Sequence, residues 1–388
     1  MRIGLVLDES LDKPDGVQQY VLTLGTWLTG QGHEVHYLVG QSVRTDIPNV
    51  HSMARNVTIQ ANGNKLSIPR PVSRASIRKK LAELQLDVIH VQTPHSPLFG
   101  HRVVMEASDL TAIVATFHVL PHSSFIEYGM RPLALVLRSS YRRIDQLIAN
   151  STATQEFITR SCHLPSIIIP NPITLANFAG AQGFPEFADK PTIVYLNRLV
   201  ARKGASHLLE AVQHIRTHRL IDTPFRVLIC GKGEESPRLE AFIKEHRLED
   251  VITMTGFVSE ADKPRYIASA DLAVYPSTGG ESFGIVLLEG MASAKGPVIA
   301  GNNPGYASVM RPHPEQLIDP RNTAAFAVLL AGYLQDAPAR QAAVAWQRDY
   351  VRQFDVGVVG STLVDLYGSI LAKRRGAEKS SSDLPLPV

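Results

Sequence analysis

Cysteine is almost missing from this chain. Cys162 and Cys230 are the only two in 388 residues, far apart and without metal-ligand spacing, which excludes a disulfide framework and points to a reducing compartment. No run approaches 18 uncharged apolar residues, so no membrane-spanning segment is expected. The opening Met1–Asp8 stretch is too short an apolar run for a secretory signal and reads as a strand, giving a cytoplasmic expectation. Neither sign of charge dominates: 39 Lys/Arg stand against 36 Asp/Glu, a net +3, too small an excess to argue for nucleic acid. Fourteen histidines are scattered, and neither a helical histidine pair nor a strand-end acid pair is expected, so no metal site is assigned.

What is present is an ordinary globular balance, 44% hydrophobic and 19% charged, at a length that favours two domains of about 100–200 residues each. Apolar runs at 2–7, 34–39, 87–91, 112–117, 146–149 and 166–169 are interspersed with helical patterns. The first helix is read from Val17 to Gln31, with Val17, Val21, Leu24 and Leu28 on one side. Such alternation predicts a parallel sheet with crossover helices. The pattern restarts with runs at 192–196, 226–230, 252–255, 272–275 and 298–300. Segment 178–191 is aperiodic, contains Gly and Pro, and reads as the linker. The expected division is therefore 1–178, 179–355, a helix over 356–375 that packs back on the first domain, and a disordered tail over 376–388.

Residues 279–291 read Gly-Gly-Glu-Ser-Phe-Gly-Ile-Val-Leu-Leu-Glu-Gly-Met after an apolar strand. A strand, loop and helix in that order aims free backbone N–H groups and the positive end of the helix dipole at a ligand, which favours an anion. Glu281 is expected at the mouth of that helix and Glu289 about two turns in, roughly 80° apart around the axis. The segment resembles the E-x7-E signature of retaining glycosyltransferases of family 4. That resemblance implies the α/β GT-B fold, two Rossmann-like domains facing each other across a cleft. It also implies that Glu281 orients sugar hydroxyls, that Glu289 holds the ribose, and that the backbone around Ser282, Phe283, Gly284, Ile285 and Val286 meets the donor.

A second constellation, Tyr195-Leu-Asn-Arg-Leu-Val-Ala-Arg-Lys-Gly204, sets cations at a strand end and a helix start. Positive charge there stabilises a departing diphosphate. In the family the residues matching Arg198 and Lys203 do this, with Arg202 a further candidate and Asn197 replacing the usual glycine. Gly16 matches a glycine that approaches the donor, although Asp15 replaces its common partner. His118, after an apolar strand, matches a histidine that reaches the transferred sugar. Gly231-Lys-Gly233 is half of a dinucleotide fingerprint, with Ser236 where a third glycine would stand. Gly231, Val258 and Lys263 fall where relatives hold the nucleotide. The loop at 294–297 is one residue longer than the family form.

Lys65–Lys80 carries six cations and no acid, with Ser73 as a helix N-cap. Arg70, Arg74, Arg78, Lys79 and Lys80 mark a basic amphipathic helix suited to an anionic membrane. Met130–Arg143 repeats the theme with Arg131, Arg138, Arg142 and Arg143 around leucines. Together with Gly16-Val-Gln18, Ala115-Thr-Phe-His118 and Ile169-Pro-Asn171, these features resemble bacterial phosphatidylinositol mannosyltransferases. The resemblance implies a GDP-mannose donor, an inositol phospholipid acceptor near Gln18, no required cofactor, and peripheral attachment to the inner face of the plasma membrane. Left open beside it are a UDP-glucose-dependent diacylglycerol glucosyltransferase, an enzyme with a soluble acceptor, and a non-catalytic binder of nucleotide sugars.

Overall fold

The computed structural model describes all residues but 13–14, 62–63, 122–123 and 383–388, and all side chains but those of 58–68, 122–128 and 377–388. It forms two compact units, Met1–Pro172 with the chain from Val356 on, and Ile173–Asp355. The division falls ahead of the expected 178/179. Ile173 pairs with Asp355, and Phe178 is buried in the second unit's core.

In the first unit the chain runs β1 (Arg2–Leu7), α1 (Gly16–Gly30), β2 (Glu34–Val39), β3 (Val50–Ser52), β4 (Asn56–Ala61), β5 (Asn64–Pro69), α2 (Arg74–Leu84), β6 (Val88–Val91) and α3 (Phe99–Glu106). It continues through β7 (Ala112–Phe117), α4 (Ser124–Val136), α5 (Arg138–Tyr141), β8 (Gln146–Ala149), α6 (Thr152–Cys162) and β9 (Ile167–Ile168). Seven strands make a parallel sheet in the order β3-β2-β1-β6-β7-β8-β9. All six residues of β7 are buried, as a parallel strand covered on both faces requires. One face is covered by α1 and the final helix, the other by α2, α3, α4 and α6. The antiparallel β4–β5 hairpin was not anticipated; it precedes the basic helix, and Lys65 lies in β5.

The second unit runs β10 (Thr192–Leu196), α7 (Ala205–His218), β11 (Arg226–Cys230), α8 (Ser236–Glu245), β12 (Ile252–Gly256), α9 (Lys263–Ala268) and β13 (Leu272–Tyr275). It then forms α10 (Ile285–Ser293), β14 (Val298–Gly301), α11 (Pro304–Val309), β15 (Leu317–Ile318), α12 (Thr323–Gln335) and α13 (Ala337–Tyr350). Its parallel sheet has the order β12-β11-β10-β13-β14-β15. Two apolar clusters cover the two faces of this sheet.

The last helix, α14 (Val356–Ser382), returns to the first unit, where Val359, Leu363 and Tyr367 are buried with α1. Its backbone stays helical through Ser382, so the expected disordered tail is helical over 376–382, and 383–388 lie outside the described residues. Val356–Gly376 is long and apolar enough to cross a membrane by length and composition, an exception to the sequence expectation. Here that apolarity serves packing: a Cβ on Gly360 would meet the Trp27 ring at 2.4 Å.

Candidate functional site

Loops at the carboxyl ends of β10 and β13 bring the second unit's charged groups together. The two loops touch backbone to backbone, because Gly204 has φ 74° and a Cβ there would stand 2.0 Å from the Pro276 carbonyl oxygen. The Thr278 N–H donates to the Arg202 carbonyl at 2.9 Å and the Ser277 hydroxyl does so at 3.0 Å. That stapling sets Arg202 and Lys203 against Glu281. Arg202 Nη1 and Lys203 Nζ each lie 2.7 Å from Glu281 Oε1, and the Ser277 hydroxyl donates to the same oxygen at 3.0 Å.

These side chains are largely shielded, Lys203 being 8% and Glu281 11% exposed. Burial alone would raise the Glu281 carboxyl, but Lys203 and Arg202 hold it below its ordinary value. Lys203 is also shifted down: burial comes first, and the single carboxylate is opposed by Arg202 and Arg198. The two directions have different leading causes: the neighbouring cations for Glu281, and burial, reinforced by Arg202 and Arg198, for Lys203. Arg198 itself is exposed and acts on Lys203 through its charge. The side chain that joins Lys203 on Glu281 is therefore Arg202, which the sequence ranked as the extra candidate.

Glu281 lies in the loop four residues ahead of α10 and not at the mouth of the helix, so the expected angle around a common helix axis does not apply. Gly284 caps the helix at φ 110°, and a Cβ there would meet the Tyr306 ring at 2.6 Å. Phe283 buries its ring against Phe354, while Ile285 and Val286 pack on the same core. The Phe283 side chain is withdrawn from any ligand, whereas Ile285, Val286 and Ser282 stay partly exposed.

Glu289, one turn into α10, is 4% exposed and lies 2.7 Å from Lys263 Nζ. Lys263 starts α9 and also meets Glu260 at 2.7 Å. Burial opposes the lysine's charge, yet the two carboxylates raise its pKa above the ordinary value. Burial raises Glu289 too, and Glu260 adds to that. Glu260 escaped the sequence reading, although an acid three residues before a helical lysine is a pairing signal. Gly231 has φ 148°, and a Cβ on it would clash with the Asn197 carbonyl at 1.9 Å. The glycine thus serves contact with the β10 loop. Val258 is partly buried on the core after β12.

The first unit places His118, Gln18 and Gly16 at the carboxyl ends of its strands. His118 is buried; its Nε2 meets Gln92 Oε1 at 2.9 Å and its ring packs edge-on to Tyr20 at 4.6 Å. Burial, with His90 and His95 nearby, pushes its pKa down to about 3, so it is a neutral hydrogen-bonding group. His90 is bound on both sides, to Tyr367 and Thr116 at 2.7 Å each, and is structural. Gln18 donates to Glu9 at 2.8 Å and to the Ser10 carbonyl at 3.1 Å. A Cβ on Gly16 would meet nothing within 4 Å, so the fold itself does not require glycine there.

The basic helix needs the largest revision. Ser73 caps α2 by accepting from the Ser76 N–H at 3.1 Å, but Ile77 and Leu84 are buried in the unit's own core. Its apolar side is thus already occupied. Arg78 lies 2.6 Å and Arg74 3.5 Å from Glu106, and Lys80 lies 2.8 Å from Glu83. Lys79 and Arg70 are exposed, Arg70 in the segment before the helix. One histidine pair does have helical ligand spacing: His214 and His218 on α7 stack at 3.9 Å. Among the described residues, no three His, Cys, Asp or Glu side chains gather as a metal site would require.

A family model described as "Glycosyl transferases group 1" matches residues 181–348, and one described as "Glycosyltransferase Family 4" matches 14–177. The chain is 31% identical over 377 residues to a phosphatidyl-myo-inositol mannosyltransferase of Mycolicibacterium smegmatis, covering 95% of this chain and 94% of that one. To the protein of that name from Propionibacterium freudenreichii subsp. shermanii it is 30% identical over 325 residues, 80% of this chain and 79% of the other. Among solved structures, sucrose-phosphate synthase from Thermosynechococcus elongatus superposes with a TM-score of 0.72 at 20% identity, over 96% of this chain and 100% of that one. Anabaena HepE in complex with UDP and glucose gives 0.73 at 18% identity, over 95% and 100%. With two parallel-sheet α/β domains of GT-B type, the chain belongs to the family 4 glycosyltransferases.

Proposed function

We propose that the protein moves mannose from GDP-mannose to a phosphatidylinositol-type lipid at the cytoplasmic membrane surface, retaining the anomeric configuration and using no divalent metal. The observation that carries this reading is the charge surplus around Glu281. Arg202 and Lys203 share the one carboxylate, and the exposed Arg198 adds its charge nearby, a formal +2 from three cations and one anion. Such preorganised positive charge suits a leaving diphosphate, whose charge grows as the glycosidic bond breaks. The N–H groups at the start of α10 add to it. The choice of sugar and acceptor rests on likeness to the phosphatidyl-myo-inositol mannosyltransferases along 95% of the chain.

Glu281 acts as a positioning group in this mechanism. Three donors already converge on its Oε1, and a carboxyl held below its ordinary pKa is a poor base and a weak nucleophile. Its other oxygen accepts from a sugar hydroxyl. The acceptor hydroxyl attacks from the face that the diphosphate leaves, and a phosphate oxygen takes its proton. Neutral His118 hydrogen-bonds the sugar without adding charge, Glu289 and its Lys263 receive the ribose, and the α2 cations meet the anionic surface.

The test is transfer from GDP-mannose and from UDP-glucose to vesicles carrying phosphatidylinositol or diacylglycerol. Mannosyl transfer to phosphatidylinositol is expected, with about 100-fold losses in Arg202→Ala and Lys203→Ala. Glucosyl transfer to diacylglycerol without mannosyl transfer would overturn the substrate assignment, and near-normal turnover in both variants would overturn the diphosphate site.

A further inference from the structure

A cavity of about 530 Å³ opens in the first unit among the C-terminal half of α4, α5 and the end of α6. Its volume is that of a small-molecule site. Arg131, Arg138 and Arg142 stand on its wall with Leu135, Tyr141 and Leu164. No acid lines it. Among the described residues, neither Arg138 nor Arg142 is in an ion pair. Leu135 is 73% and neighbouring Val136 71% exposed, an unusual display of large aliphatic side chains beside cations. The Tyr141 hydroxyl is buried and has no hydrogen-bond partner among the described residues. Burial pushes the Cys162 thiol up to about 11, so that residue is wall and not nucleophile.

The location is informative. The cavity residues lie just before β8 and β9 begin, toward the amino ends of the strands, whereas His118 and Gly16 follow strand carboxyl ends. His118 and Gly16 thus lie at the opposite end of the sheet from the cavity. Helices α4 and α6 belong to the same outer layer as α2, whose cations share that face.

We propose that this cavity holds the headgroup phosphate of an anionic phospholipid of the membrane surface, a lipid that anchors the protein and is not the sugar acceptor. Arg138 and Arg142 pair with the phosphate. Leu135 and Val136 enter the acyl boundary, as aliphatic side chains flanked by cations do at interfaces. The proposal rests on the membrane part of the function proposed above and gives that surface a discrete site.

Sedimentation with phosphatidylglycerol/phosphatidylcholine vesicles tests it on the full chain. Each interfacial cation changes partitioning about fivefold, so Arg138→Ala/Arg142→Ala should lose about 25-fold, and Leu135→Asp, at an exposed position, should also weaken binding. Soluble dihexanoyl phosphatidylglycerol should raise the Tm of the parent and not of the double variant, whereas inorganic phosphate should do neither. Double-variant sedimentation equal to the parent's overturns the cavity assignment while leaving the membrane reading intact. Parent protein that ignores anionic vesicles overturns both. Equal stabilisation by inorganic phosphate overturns the lipid as occupant.

Discussion

Replacing Glu281 by glutamine removes one negative charge and nearly nothing else. Glutamine keeps an oxygen that can accept from Ser277 and Arg202, at the 3.0 and 2.7 Å seen for the carboxylate. Lys203, 8% exposed, and Arg202, 23% exposed, are then left as neighbouring cations without a counter-charge. Breaking a buried pair from one side costs about 3–5 kcal/mol, and the partial exposure of Arg202 argues for the lower end. About 3 kcal/mol corresponds to a Tm lower by roughly 6–12 °C in a domain of this size. The assay is thermal unfolding of the parent and Glu281→Gln, each with and without GDP. Because GDP carries the diphosphate without the transferred mannose, its anion should substitute for the missing carboxylate. The ligand-induced rise in Tm should therefore be larger in the variant, and GDP should bind it at least as tightly as the parent. GDP-mannose should bind it less tightly, having lost the acceptor for its hydroxyls. A variant that loses GDP affinity in step with its stability would refute the reasoning, since Glu281 would then be supporting the phosphate site and not competing with it. Unchanged stability would refute the charge accounting.

Lys203 is held below its ordinary lysine value, so GDP affinity should fall as pH rises through that lowered pKa, and Lys203→Arg should carry the affinity to higher pH in titration calorimetry. Gly284→Ala, at φ 110° and against Tyr306, should cost about 1–3 kcal/mol in urea unfolding and weaken nucleotide binding. Burial raises Asp8 to about 6 despite bonds from Ser96 and the Gly100 N–H. A carboxyl whose folded pKa exceeds its unfolded 3.8 stabilises fully below pH 3.8 and loses that contribution as pH rises through about 6. Asp8→Asn, compared with the parent by chemical unfolding across pH 4–7, should remove about 3 kcal/mol of that slope. Glu106→Gln should free Arg74 and Arg78 and raise anionic-vesicle binding about fivefold.

The fold was legible where parallel strands are continuous apolar runs. Residues 112–117, 146–149, 192–196, 226–230 and 272–275 were read with the bounds of β7, β8, β10, β11 and β13. Double-sided burial leaves such strands few polar positions to confuse the pattern. The β4–β5 hairpin was missed although Asn62-Gly63 lies between its strands, a short-range hairpin signal. Cation density around Lys65–Lys80 drew attention to charge and away from turn chemistry. At the site, residue types were legible and partnerships were not. Nothing local tells Arg202 from Arg198, because the choice depends on Gly204 bringing its loop onto Pro276, 72 residues away in sequence. Glu106 is likewise invisible as the partner of α2, since the stretch that carries those cations contains no acid.

The two buried charge clusters of the second unit are opposites, and that opposition says more than either alone. Around Glu281 one carboxylate is outnumbered by cations, which hold it below its ordinary value, while burial first and then Arg202 and Arg198 depress Lys203. Around Lys263 one cation faces Glu260 and Glu289, which raise the lysine against its burial, while burial, with an addition from Glu260, raises Glu289 against the pull of Lys263. Each cluster is stable enough to fold and each keeps an uncancelled charge, which a purely structural ion pair has no need to do. A positive surplus selects phosphate, whereas a negative surplus selects hydroxyl donors. Helix α10 joins them, with Glu281 four residues before its start and Glu289 one turn inside. In the function proposed above, the donor's phosphates meet the cluster ahead of this short helix and its ribose diol meets the cluster one turn inside. A nucleoside diphosphate sugar has that layout, and free phosphate or a simple sugar would leave one surplus unanswered.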